Sequence, residues 1–267
     1  MPLFNPSNIL WSALVFATFG LSVCLHEFGH AIVAYWGGDH SVKEKGYLTL
    51  NPLRYTHLTN SIVLPFIFLL MGGIPLPGAA VYINHGSLKS RSWKSAVSAA
   101  GPLATLAVAL LLAGIVAVLP APIDFNLRSQ DALLFEGVAL LLTLEVAGVF
   151  LNLIPIPGLD GYGIIRPWLP VAIQQKLRPV AKYGVWILVG AFWFVPAFSS
   201  TFWGAVITVV QACGVPSDIA FFSLFRFQSG ARVLFFFLLV FWIGYTQWKK
   251  RQPQDSENHC PDAGLKK

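Results

Sequence analysis

The segment His26-Glu27-Phe28-Gly29-His30 has the types and spacing best suited to chemistry in this chain. On a helix, positions i and i+4 share a face, so both imidazoles reach one metal ion. Glu27, beside the first of them, can then touch a water on that ion and act as general base. A five-residue pattern with three fixed letters also arises by chance, but its setting weighs against chance. The run from Ile9 to Trp36 is apolar around it. A charged or strongly polar side chain at membrane depth costs from ~2.5 to well over 10 kcal/mol. Three of them in one apolar helix need a compensating partner, and a zinc ion fits this spacing.

A catalytic zinc takes three protein ligands and keeps one position open. Asn152-Leu153-Ile154-Pro155-Ile156-Pro157-Gly158-Leu159-Asp160-Gly161 offers the missing one. Pro155 and Pro157 lack amide donors and stop the preceding helix, and Asp160-Gly161 follows in the break. Asp160 is either the third ligand or an ordinary Asp-Gly turn. Asn152 is either a cap at the helix end or an amide that holds substrate or an oxyanion. Glu145 is a rival carboxylate, but seven residues before Asn152 it stands about 10 Å deeper. His30 lies six residues, roughly 9 Å, from the end of its own helix at Trp36, which favours a ligand near a helix end. Asp160 meets that condition, and Glu145 is then a buried residue outside the ligand set.

The elements that position these residues follow from composition. Hydrophobic residues make up 55% of the 267, charged residues 11%, and mean hydropathy is +0.65. Soluble domains carry about 25% charged residues, so the solvent here is largely lipid. Long apolar runs span Ile9 to Trp36, Ala96 to Leu119, Ala132 to Ile154 and Ala231 to Trp248. Shorter ones cover Ser61 to Met71 and, broken at Pro196, Tyr183 to Gly214. The expectation is an all-α polytopic membrane protein of four to six transmembrane helices. Residues 1–248 form a single membrane-embedded domain, and 249–267 a polar, disordered tail. Gly72 to Asn84 differs: glycines and prolines break any helix, and Ala80-Val81-Tyr82-Ile83 has strand composition. It reads as a short strand-like re-entrant segment, tolerated at membrane depth only where it lines a wet cavity or is buried in protein.

The formal charge of +6 does not point to nucleic acid. The basic residues sit between apolar runs, in 39–60, 85–95, 160–182 and the tail, which places those segments on the cytoplasmic side. Cys24, Cys213 and Cys260 form neither a disulfide framework nor a thiolate metal site. The first apolar run lacks a basic n-region and holds the chemistry, so it is not read as a cleaved signal peptide. His40, His57, His85 and His259 fall in polar connections or the tail and read as solvated.

These motifs, with Gly46-Tyr47-Leu48-Thr49-Leu50-Asn51-Pro52 and Ala100-Gly101-Pro102-Leu103, resemble the site-2 protease family of intramembrane zinc metalloproteases over residues 15–165. The resemblance implies one Zn2+ ion bound by His26, His30 and Asp160, with Glu27 as base and Asn152 assisting. It implies an endopeptidase that cuts within or near the transmembrane helix of a single-span membrane protein. Its site would be a multi-pass position in a prokaryotic plasma membrane, with the chemistry toward the cytosol. The compact chain has room for neither a PDZ nor a CBS domain. A substrate helix must unwind before attack, and Val81, Tyr82 and Ile83 offer an edge to receive it as an added strand; alternatively the segment only packs over the site. Four positions depart from the family pattern: Tyr47 for Arg, Thr105 for Asn, Gly158 for Pro and Glu145 for an amide. None removes a ligand. Two rival readings are a transporter, which also uses intramembrane Glu and His, and an inactive helix-binding scaffold. The lack of an internal repeat argues against the first, and the retained Glu27 against the second.

Overall fold

The computed structural model describes residues 6–51, 81–120 and 130–251. Helix α1, Pro6–Gly37, opens on a proline, whose missing amide is harmless at a first helical position. Gly38 ends it at φ +113°, a conformation other residues rarely adopt. The Gly38 amide donates to Tyr35 O at 3.2 Å and the Asp39 amide to Ala34 O at 2.9 Å, the paired bonds of a Schellman end. A single helical turn, α2 (Ser41–Glu44), follows. Helix α3, Arg91–Val118, starts where the Ser90 hydroxyl accepts from the Trp93 amide, an N-cap. Its interior Pro102 deletes one helical hydrogen bond. Helix α4, Gln130–Leu153, stops ahead of Pro155 and Pro157. Helix α5, Asp160–Ile165, runs into a 3-10 turn, Arg166–Trp168. Then come α6 (Val171–Leu177) and a second 3-10 turn, Val180–Tyr183. Helices α7 (Gly184–Phe194), α8 (Pro196–Ala212) and α9 (Ser217–Arg251) complete the chain.

The architecture is all-α and polytopic. Among the described residues three helices are long and apolar enough to cross a membrane: Ile9–Gly37, Arg91–Val118 and Ala132–Leu153. They become four if α7 and α8, bent by 95° at the expected break, form one span. Helix α4 is the centre of the bundle. Its span is 67% buried, against 33% and 28% for the spans of α1 and α3, which therefore keep most of their surface for lipid. One core cluster joins Phe135, Leu142 and Leu151 of α4 to Val206 of α8 and Ile219 of α9. Another joins Trp11, Val15 and Phe19 of α1 to Leu140 and Leu144.

Lipid offers no hydrophobic drive for helices to associate, so close packing through small residues and polar contacts must hold them. At the α1–α3 crossing a Cβ on Gly29 would lie 2.8 Å from Ala100 O, so only glycine permits this approach. The last helix begins at Ser217 rather than at the expected Ala231. Residues 217–230, ahead of the expected span, form its first turns and carry Arg226. That charge is neutralised: Arg226 donates to Glu136 of α4 and lies 5.0 Å from the ring centre of Trp11. Of the expected re-entrant segment, residues 72–80 lie outside the described part, as do 61–71 and the tail beyond 251. Residues 81–84 are neither helical nor paired in a strand.

Candidate metal centre

His26 and His30, one turn apart on α1, are both buried and turn their Nε2 atoms to a common point, 3.1 Å apart. Asp160 closes the third side. Its Oδ2 lies 3.2 Å from His26 Nε2 and its Oδ1 3.3 Å from His30 Nε2, so the carboxylate straddles the pair. One ligand atom from each residue falls within 4.8 Å of the others.

The opposite faces of the imidazoles are also engaged. His30 Nδ1 lies 2.6 Å from Val97 O, and since a carbonyl only accepts, Nδ1 carries the proton there. The Nε2 lone pair is then left for a metal. His26 Nδ1 lies 2.9 Å from Thr105 Oγ1, which can do the same for its ring. Both partners belong to α3, the helix brought close by Gly29.

The residues fit a zinc ion. Tetrahedral ligands at ~2.0–2.1 Å from the metal stand about 3.4 Å from one another, close to the observed separations. Two neutral imidazoles and a carboxylate are an ordinary catalytic zinc donor set. Gly101 supplies an independent observation. A Cβ there would collide with His30 Nε2 and stand 2.5 Å from His26 Nε2, so the absence of a side chain keeps the space between the ligands clear.

Asp160 does not sit in a turn. It is the first residue of α5, and the chain reverses just before it at Gly158, φ +108°. Helix α5 is fastened on two sides. Gly161 lies against the end of α4, where a Cβ would strike Leu153 O, and Gly163 lies against Ser98 of α3. Ser95 Oγ donates to Ile164 O at 2.6 Å and accepts from Trp168 Nε1 at 2.8 Å. Sequence reasoning passed over Ser95 and Trp168. They stand 73 residues apart, so nothing in local spacing signals the pair.

Glu27 is buried and its Oε2 accepts the Val81 amide at 3.0 Å. Lys45 Nζ donates to Tyr82 O at 2.9 Å. Asp39 Oδ2 accepts the Asn84 amide at 2.7 Å, while Oδ1 accepts the Ser41 amide at 3.1 Å and the Ser41 hydroxyl at 2.6 Å. Burial alone would raise the Asp39 carboxyl. The Ser41 hydroxyl, the Asn84 and Ser41 amides and the charge of Lys45 outweigh it and hold the group below its ordinary value. Residues 81–84 are thus pinned beside Glu27, with Val81 and Ile83 packed against the cluster of Ala34, Val42, Leu88 and Val97 and Tyr82 exposed. The Val81 amide is committed to Glu27, which the strand reading did not foresee. Asn152 is buried in the last turn of α4 and shares a small cavity with His26. Glu145, also on that cavity, is absent from the ligand triangle.

The chain is 43% identical over 204 residues to Rip2 of Mycolicibacterium smegmatis, named as a zinc metalloprotease, covering 76% of this chain and 75% of that one. Rip2 of Mycobacterium tuberculosis is 41% identical over 207 residues, covering 78% and 76%. YwhC of Bacillus subtilis, also named as a zinc metalloprotease, is 32% identical over 171 residues, covering 61% and 73%. No family model matches the chain, and no solved structure matches it significantly.

Proposed function

Because the chain belongs to the site-2 protease family of zinc metalloproteases, we propose that it hydrolyses a peptide bond within or near the transmembrane helix of another membrane protein. The observation that carries this reading is the His26–His30–Asp160 triangle, two of whose members stand inside a helix long and apolar enough to cross the bilayer. In this reading His26, His30 and Asp160 hold the zinc ion. Zinc held there would supply polarisation of the scissile carbonyl and a water nucleophilic near neutral pH. Glu27 takes the proton of the attacking water and returns it to the leaving amide nitrogen. The Val81 amide, hydrogen-bonded to Glu27 Oε2, keeps the carboxylate oriented. Asn152 holds the substrate carbonyl as charge develops on it.

The substrate enters as an extended strand along residues 81–83. A helix conceals its peptide carbonyls in internal hydrogen bonds, so local unwinding precedes attack. His30 stands seven residues, ~10 Å, before the end of α1 at Gly37, a depth water reaches from one face. Basic residues gather at that end: Lys43 and Lys45 on and after α2, and Lys89, Arg91 and Lys94 at the start of α3. Lys89 lies there by contact, its amide bonding Gly37 O and its Nζ bonding Trp36 O. Under the positive-inside rule that end faces the cytosol. The relatives are bacterial, which supports a bacterial plasma membrane as the location.

The test is cleavage of a single-span model helix by detergent-purified protein, wild type against Glu27→Gln. Wild type is expected to cut the helix and the variant to retain bound zinc while losing all but a few per cent of turnover. Robust cleavage by Glu27→Gln would refute the assignment of the base.

A further inference from the structure

Beside His26, between α1, α3 and α4, lies a cavity of about 20 Å3. Its walls are mostly apolar, but Ser22, Thr105, Glu145 and Asn152 reach it as well as His26. Glu145 is 2% exposed, and its Oε2 accepts the Ser22 hydroxyl at 2.7 Å. No group of the protein hydrogen-bonds its Oε1, alone in this among the buried side-chain nitrogens and oxygens of the described residues. Buried polar atoms in folded proteins almost always have a partner, in protein or ordered water, and a carboxyl at membrane depth has the strongest need of one.

Volume decides what that partner is. About 20 Å3 has room for one water. A buried water also needs two to four polar partners, and Glu145 Oε1, the Thr105 hydroxyl and the Asn152 amide share the cavity. Thr105 has capacity to spare. While its oxygen accepts His26 Nδ1–H across 2.9 Å, its own proton remains free to donate.

We propose that this cavity is a resident-water site and that, through the water, Glu145 is a positioning residue for Thr105 and hence for His26. Ser22 orients Glu145, Glu145 holds the water, the water fixes the Thr105 hydroxyl, and the hydroxyl fixes the His26 ring. The inference rests on His26 being a metal ligand.

The test is the zinc dissociation constant of the full-length, detergent-purified protein, measured by chelator competition, so that it does not depend on protease activity. Thr105→Val is expected to weaken zinc tenfold to a hundredfold, the range for losing the outer partner of a ligating histidine, and Thr105→Ser to restore it. Glu145→Met, which fills the space without hydrogen bonds, is expected to weaken zinc about tenfold, at the low end of that range. Glu145→Gln, which keeps a hydrogen-bonding head, should stay within about threefold of wild type. Combined with Thr105→Val, Glu145→Met should add nothing, because it acts through Thr105. Gly148→Ala tests the water without touching any polar group. Gly148 lines the cavity and an added Cβ would meet Thr105 Cγ2 at 3.7 Å, ordinary contact, so the chain folds while the water loses its room. Additive losses, equal effects of Met and Gln at 145, or unchanged affinity in Gly148→Ala would each overturn the water chain. Wild-type protein that binds no zinc would overturn the metal site as well, and so separates the two failures.

Discussion

Gly101→Ala is the sharpest test of the site, because it touches no ligand. The added methyl would stand 2.5 Å from His26 Nε2 and closer still to His30 Nε2, both buried. Ordinary contact needs about 3.5 Å, so α3 must retreat by about 1 Å or the imidazoles must turn away. Retreat is resisted where Gly29 locks α1 against the Ala100 backbone. Overpacking of this kind costs about 1–3 kcal/mol. If ~2 kcal/mol of that falls on the zinc-bound state, zinc affinity drops roughly thirtyfold, and direct occupation of the metal's place adds to the loss. Zinc content after equilibration in metal buffers, read beside the melting temperature, measures it. Gly114→Ala, in the same helix with nothing within 4 Å of its added Cβ, is the control and should bind zinc as wild type does. Gly101→Ala protein with wild-type zinc affinity would refute the placement of the metal between these residues.

Asp160→Ala should lose most bound zinc, whereas Glu145→Gln should keep it; metal analysis of both decides, and the reverse pattern would overturn the ligand set. Ile83→Pro should lower cleavage roughly three- to tenfold, the worth of one backbone hydrogen bond, with zinc content unchanged; Val81→Pro should do more, since it also releases Glu27. Asp39 is held below its ordinary value, so its stabilisation of residues 81–84 is complete above the unfolded carboxylate pKa of about 4. It is lost as pH falls through the lower folded value. Hydrogen exchange at the Asn84 amide should therefore quicken only in that acid range, and Asp39→Asn should quicken it at neutral pH by roughly tenfold or more, a charge-assisted bond being worth about 1.5–3 kcal/mol.

The long helices were legible because lipid imposes a simple rule on composition, and α1 and α4 end where glycine and proline stand. The His26–His30 pairing was legible because helical spacing fixes it locally. Asp160 was legible as a residue but not in its setting. That it opens a helix depends on Gly158, Gly161 and Gly163 fitting against α3 and α4, contacts far apart in sequence. The same holds for Thr105 and Glu145, which sequence reading noted as separate departures from the family pattern and which share one cavity in the fold. The first turns of α9 were not read because the apolar run starts only at Ala231, while the bundle gives Arg226, ahead of it, a carboxylate and an indole.

That ion pair has a consequence for how the chain is made. Trp11, Glu136 and Arg226 lie on α1, α4 and α9, so synthesis delivers the acidic and aromatic partners long before the cation. Until α9 docks, the buried glutamate of α4 has no cation beside it, and Arg226 has neither carboxylate nor indole. Breaking such a pair from one side leaves an uncompensated buried charge, a strongly destabilising change, so the last helix and α4 depend on one another for this contact.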